Sequence, residues 1–227
     1  MSPNKIRIEE LKQADHIYTW RFIKVYSHHG IYVGDHKVIH FTGSANFSSS
    51  SSSSSSHMSV CSPCQHCRDT LSQLPTHQTQ APSQGGVIIS CLDTFLNGGD
   101  LYRYDYSMSA TDFIVHSACG TGTTASSDPD NEVLHRANVL LDTNGFGAYN
   151  LFKNNCEDFA IYCKTSHVEK SYTTVSRSGQ IHGLLLNLGG ILGHFVFRPI
   201  YCYLSDVGVD RDFVKVSVEK LVEHTCS

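Results

Sequence analysis

The chain has 227 residues, 40% hydrophobic and 17% charged, with a formal charge of −4. This suits one globular domain with a tail or insertion. Net acidity argues against a nucleic-acid partner, because reading a phosphate backbone needs a basic surface, and sparse charge argues against long interaction tails.

Residues 1–13 are polar, and no apolar signal-peptide core follows Met1. An intracellular, reducing compartment is therefore expected, with most of the nine cysteines as thiols. Residues 17–47 are β-rich. Ile31-Tyr32-Val33 and Val38-Ile39-His40-Phe41 are separated by Gly34-Asp35-His36-Lys37, which predicts a hairpin. With the turn near Asp35, His40 falls opposite position 30, and His28 and His40 lie diagonally on one face. A one-residue slip would put them on opposite faces. Spacing alone decides nothing here, since His16/His28 and His182/His194 share the twelve-residue separation of His28/His40.

A serine tract at 48–56 lies within a polar insertion at about 44–86, which is expected to be disordered. Its Cys61-x-x-Cys64-x-x-Cys67 run, with Cys91 beyond, has the ligand spacing of a structural zinc site. Free thiols or a redox pair fit the same residues.

Val87-Ile88-Ile89 resumes a strand, and Leu101 to Tyr106 alternates as a strand with one tyrosine face. That face is expected to pack a sheet. Ser127-Asp128-Pro129 opens a helix with a stripe at Val133, Ala137, Leu140 and Leu141, ended by Asn144-Gly145. Asn154-Asn155 opens a second helix with Cys156 in its first turn and Phe159, Ala160 and Cys163 on one side. Residues 184–204 are long and apolar enough to span a bilayer. Asn187, His194 and Arg198 make a buried or interfacial Gly-rich segment the better reading. The segment after Asp212 fits strand or helix.

A thiol in a first helical turn faces unpaired N–H groups and the positive dipole end, which favour thiolate. Glu157 and Asp158 partly oppose this. A nucleophilic cysteine also needs a histidine to take its proton and a third group to orient that histidine. On position alone, a buried structural thiol fits Cys156 equally.

The run His28-His29-Gly30-Ile31-Tyr32-Val33-Gly34-Asp35, then Val38-Ile39-His40, and far downstream Asn155-Cys156-Glu157-Asp158-Phe159 resembles the lecithin retinol acyltransferase-like (LRAT domain) family. It is most similar to the plant members called NC-domain proteins, within the NlpC/P60 superfamily. The resemblance covers residues 6–165, interrupted by the insertion, and leaves 166–227 as an extension. It implies an α+β, permuted papain-like NlpC/P60 fold: an antiparallel sheet with the cysteine helix packed on it. It implies Cys156 as nucleophile, His28 as the activating histidine, His40 as the group orienting it, and Tyr26 as an oxyanion donor. His29 fills a variable slot. Asp158 stands where animal members usually have His, which implies altered local electrostatics. Plant members carry two CxxC pairs near the insertion, and Thr94 stands where a second Cys would follow Cys91.

The implied activity is acyl transfer or phospholipase-like hydrolysis through a thioester, on a lipid ester with a phospholipid as acyl donor. It implies peripheral membrane contact and needs no cofactor for catalysis. The rivals are a thiol peptidase or amidase on the same triad, and an inactive interaction module at a membrane surface.

Overall fold

The computed structural model describes residues 4–21, 26–43, 85–116, 119–169 and 198–225. In chain order come β1 (His16–Arg21), β2 (Tyr26–Gly34), β3 (Lys37–Thr42), β4 (Gly86–Cys91), α1 (Leu92–Leu96), β5 (Tyr102–Arg103) and α2 (Ala110–Val115). They are followed by α3 (Asp130–Thr143), α4 (Cys156–Thr165), β6 (His167–Glu169), α5 (Arg198–Leu204), β7 (Phe213–Lys215) and α6 (Val218–Thr225). Five strands form a sheet in the order β4-β3-β2-β1-β5, each neighbouring pair antiparallel. With helices on both faces, the class is α+β.

The β2–β3 hairpin turns at Asp35 and His36, both at positive φ (48° and 55°). That is the hand that matches strand twist in a two-residue link. Ile31 pairs with Ile39 and Tyr32 with Val38, so the register runs as the turn position predicts. One sheet face is covered by α3 and α4: Ile31, Ile39, Phe41, Val87 and Ile89 pack against Val133, Ala137, Leu140, Phe159 and Ala160. On the other face Ile17 and Val38 pack against Leu92, Phe95 and Leu96 of α1 and its surroundings.

Both predicted helices form. The first has Pro129 itself as N-cap and ends on Asn144 at φ 51°. Its Arg136 is buried, donating to the Cys163 carbonyl at 2.8 Å and to Asp128 at 2.9 Å. This ties α3 to α4 and gives the buried guanidinium two hydrogen-bond partners.

The strand expected over 101–106 is shorter. Only Tyr102 and Arg103 pair in β5, because the chain then changes partner. Tyr104 N–H still donates to the His16 carbonyl, but Asp105 N–H donates to the Thr121 carbonyl and the Asp105 carbonyl accepts from Thr123 N–H. The tyrosine face survives that change, with Tyr18, Tyr102 and Tyr104 buried together. After Asp212 the chain uses both options in turn, β7 and then α6. Strand β7 pairs with β6, and Val218 and Leu221 of α6 join the main core.

The expectation of thiols holds at Cys91, Cys156 and Cys163 but is corrected at Cys119 and Cys202, which form a disulfide. Folding brings the loop after α2 against α5 and places those sulfurs within bonding reach. The insertion at 44–84 and most of the apolar segment lie outside the described residues. Among the described residues no helix is long and apolar enough to cross a membrane.

Candidate active site

The sheet forks at its centre. The β1–β2 ladder runs on to Arg21 and Tyr26, and the β3–β4 ladder runs on to Thr42 and Gly86. Between them the β2–β3 ladder ends at Ile31 and Ile39. The first residues of β2 and the last of β3 are therefore not paired with each other, and α4 packs against both strands.

Asn155 makes that N-terminus. Its Oδ1 accepts from the backbone N–H of Glu157 (2.8 Å) and of Asp158 (3.3 Å). Asp158 Oδ2 in turn accepts from Asn155 N–H at 2.8 Å. This reciprocal capping box satisfies orphan donors at the helix start. Asp158, the departure from the family pattern, thus has a local structural role.

Cys156 is 1% exposed, outside any disulfide, with Sγ 3.8 Å from the Ser27 carbonyl of β2. Ser27 precedes His28, so the sulfur lies beside the strand that carries the candidate base. His28 Nε2 is 2.9 Å from His40 Nδ1, and His40 Nε2 is 3.0 Å from Ser90 Oγ. One proton arrangement serves every link. His28 Nε2–H donates to His40, His40 Nε2–H donates to Ser90, and the Ser90 hydroxyl donates to the Cys91 carbonyl (3.4 Å). It leaves His28 Nδ1 as an open acceptor.

Phe95 covers both rings, at 5.2 and 5.4 Å between centroids. Burial, with the neighbouring His40, Arg21 and His29 adding to it, holds His28 well below the usual imidazole range. Burial and then Arg21 push His40 down to about 3. Both rings are neutral at pH 7, the form that accepts a proton.

Gly30 lets the two strands meet here. A Cβ on it would come within 2.7 Å of Val38 Cγ1 and 3.1 Å of His40 Cβ. The glycine between the motif histidines is therefore a packing requirement of the pair.

Three further groups surround the sulfur. Tyr26 has its hydroxyl pushed up by burial, with Arg21 opposing and Cys156 adding to the shift. Arg21 donates to the Phe95 and Leu96 carbonyls, both at 2.5 Å, capping the end of α1. Its guanidinium is lowered by burial, while attraction to Tyr26 and Cys156 works the other way. Tyr149, on the loop before α4, hydrogen-bonds Cys156; burial first, then that thiol, keep its hydroxyl protonated far above its ordinary range.

Cys156, His28, His40 and Tyr26 are thus all placed around the fork. Sequence reading missed Ser90, Tyr149 and Arg21. Ser90 is visible only once the β3–β4 register is known, since Ile88 pairs with His40 and Ser90 shares its face. Tyr149 lies in a loop without periodicity.

Of the candidate zinc ligands, Cys61, Cys64 and Cys67 lie outside the described residues. Cys91 is buried, with Sγ 3.1 Å from Thr94 Oγ1. A cavity of about 370 Å³ flanks α4, lined by Tyr104, Phe146, Glu157, Ile161 and Asp206 among others, and neither Cys156 nor His28 borders it.

The family model described as lecithin retinol acyltransferase matches residues 9–169. The protein named LEAD-SENSITIVE 1 from Arabidopsis thaliana is 38% identical, over 99% of this chain and 91% of that protein. No solved structure matches the chain significantly.

Proposed function

Since the chain belongs to the lecithin retinol acyltransferase family, we propose that it is a cysteine-dependent acyltransferase or phospholipase working through a thioester on lipid esters. The supporting observation is the position of the Cys156 sulfur. It sits at a helix N-terminus, in a sheet fork, beside a strand whose histidine is held neutral in a chain ending at Ser90. We read the architecture as papain-like of the NlpC/P60 kind, permuted to the order His, His, Cys.

In the proposed reaction His28 Nδ1 takes the Cys156 proton, and the sulfur attacks the ester carbonyl carbon. Oxygen charge in the tetrahedral intermediate is met by the Tyr26 and Tyr149 hydroxyls. Each such donor is worth about 3 kcal/mol in comparable sites. The intermediate collapses by breaking the carbon–oxygen bond, and His28 returns its proton to the leaving alcohol. An acceptor alcohol, amine or water then gives a proton to His28, attacks the thioester and frees the thiol.

His40 and Ser90 keep the His28 proton on Nε2, so that Nδ1 stays available. The scheme uses no cofactor. The described end of the apolar segment, α5, exposes Ile200, Tyr201 and Leu204, and we assign it to contact with the lipid surface.

The test is intact-protein mass spectrometry after incubation with mixed phospholipid vesicles. A fatty-acyl mass on the wild type, absent from Cys156→Ala and His28→Ala, is the expected result. No adduct and no lipid turnover would end the lipid reading. Turnover of amide substrates by the same thiol would then favour a peptidase.

A further inference from the structure

A second hydrogen-bonded histidine pair, His16 of β1 and His29 of β2, lies on the face opposite His28. His16 and His29 are 1% and 0% exposed. His16 Nε2 lies 2.9 Å from His29 Nδ1. His29 Nε2 lies 2.7 Å from Ser27 Oγ, and His16 Nδ1 lies 2.8 Å from the Tyr106 hydroxyl. Tyr104 stacks on His16 at 4.3 Å and Tyr18 on His29 at 5.3 Å. Burial holds both imidazoles far down, His29 at about 3, so each carries one N–H. The chain Ser27–His29–His16–Tyr106 then has a donor for every link, in one sense or the other.

The location of this chain is informative. Ser27 and His29 lie on the stretch of β2 that has β1 on one edge but no ladder to β3 on the other. Ser27 also presents its carbonyl to the Cys156 thiol, and His28 stands between the two anchored residues. Successive side chains of a strand point to opposite faces, so fixing residues 27 and 29 on one face fixes the aim of residue 28 on the other.

We propose that His16 and His29 are positioning residues. Their hydrogen-bonded array substitutes for the missing ladder at the fork and holds the Ser27 carbonyl and the His28 imidazole against Cys156. The proposal rests on the reading of Cys156 as nucleophile and His28 as its base.

The experiment is iodoacetamide alkylation of the full-length protein from about pH 5 to pH 10, since the thiolate is the reacting form. Mass spectrometry of the Cys156 peptide excludes the other thiols, and the readout is the midpoint of rate against pH. Altered access to the sulfur changes the plateau rate, whereas an altered thiol–imidazole relation moves the midpoint.

We expect His28→Ala to move the midpoint. Ser27→Ala and His29→Asn should move it in the same direction by about half a pH unit or more, roughly threefold in thiolate fraction. The double variant His28→Ala/Ser27→Ala should move no further than His28→Ala alone, as coupled residues do. His29→Gln, whose amide can restore the hydrogen bond to Ser27, should regain at least half of the shift.

A wild-type midpoint in Ser27→Ala overturns the proposal, whatever happens to the melting temperature. That variant removes one oxygen atom and decides the matter even where His29 variants fail to fold. A wild-type midpoint in His28→Ala shows a different failure, that of the base assignment, and the proposal falls with it.

Discussion

At the sulfur, two tyrosine hydroxyls and one guanidinium meet a thiol that the chain has almost wholly removed from water. Tyr149 is one of the groups engaged with it. Tyr149→Phe removes one donor and keeps the ring, so turnover should fall on the order of 100-fold with little change in stability. Steady-state kinetics beside a thermal melt check both halves. Arg21→Gln has a different signature. It frees the two carbonyls at the end of α1 and removes a cation beside Cys156 and both site histidines. The placement of Cys156 in a first helical turn and of His28 in a hairpin was legible in the sequence because both are local patterns, whereas their roles came only from the family resemblance. Tyr149 and Ser90 were not legible, because each reaches the site through long-range packing.

Among elements, the fork depends on Gly30 and on the cap of α4. Gly30→Ala forces a methyl into Val38 and His40, an overpacking cost of about 1–3 kcal/mol. Because His40 must give way, activity should fall by more than stability alone explains, which urea unfolding and kinetics on one preparation will separate. Asn155→Ala removes the cap and should cost about 1 kcal/mol; it also loosens the helix turn that aims the sulfur. The hairpin was readable from its turn residues, but its register was fixed only once Asp35 and His36 were seen to make the two-residue link. The fork was not readable, because nothing local in β2 or β3 announces where their shared ladder stops. The expected strand at 101–106 was cut short for a similar reason: its alternation is real, but its hydrogen-bond partner changes after Tyr104.

At the scale of the whole fold, His16, His28, His29 and His40 are kept neutral by burial. An unfolded histidine titrates near 6.5. Each folded value lies lower, so below that point the unfolded chain binds more protons and gains on the folded one. Stability is therefore full above about pH 6.5 and falls as the pH drops toward about 3, where His29 and His40 titrate in the folded state. Urea midpoints at pH 7.5, 6 and 5 should decline in order, and less steeply in His29→Gln; a flat series would contradict the burial of these rings.

The insertion joins the molecule at a particular spot. Thr42 pairs with Gly86 at the last rung of β3–β4, so both of its ends are already held together by the sheet. A Cβ on Gly43, next along the chain, would touch the ring of Tyr149 at 3.0 Å. Lengthening a loop whose ends are pinned is cheap, about 0.6 kcal/mol per doubling. The scaffold can thus accept insertions of very different size and composition here without disturbing the sheet, and every one of them emerges beside Tyr149, the neighbour of the Cys156 thiol. Under the proposed reaction, change in length or composition at this point alters the surroundings of the thiol while the sheet keeps His28 and His40 where they are.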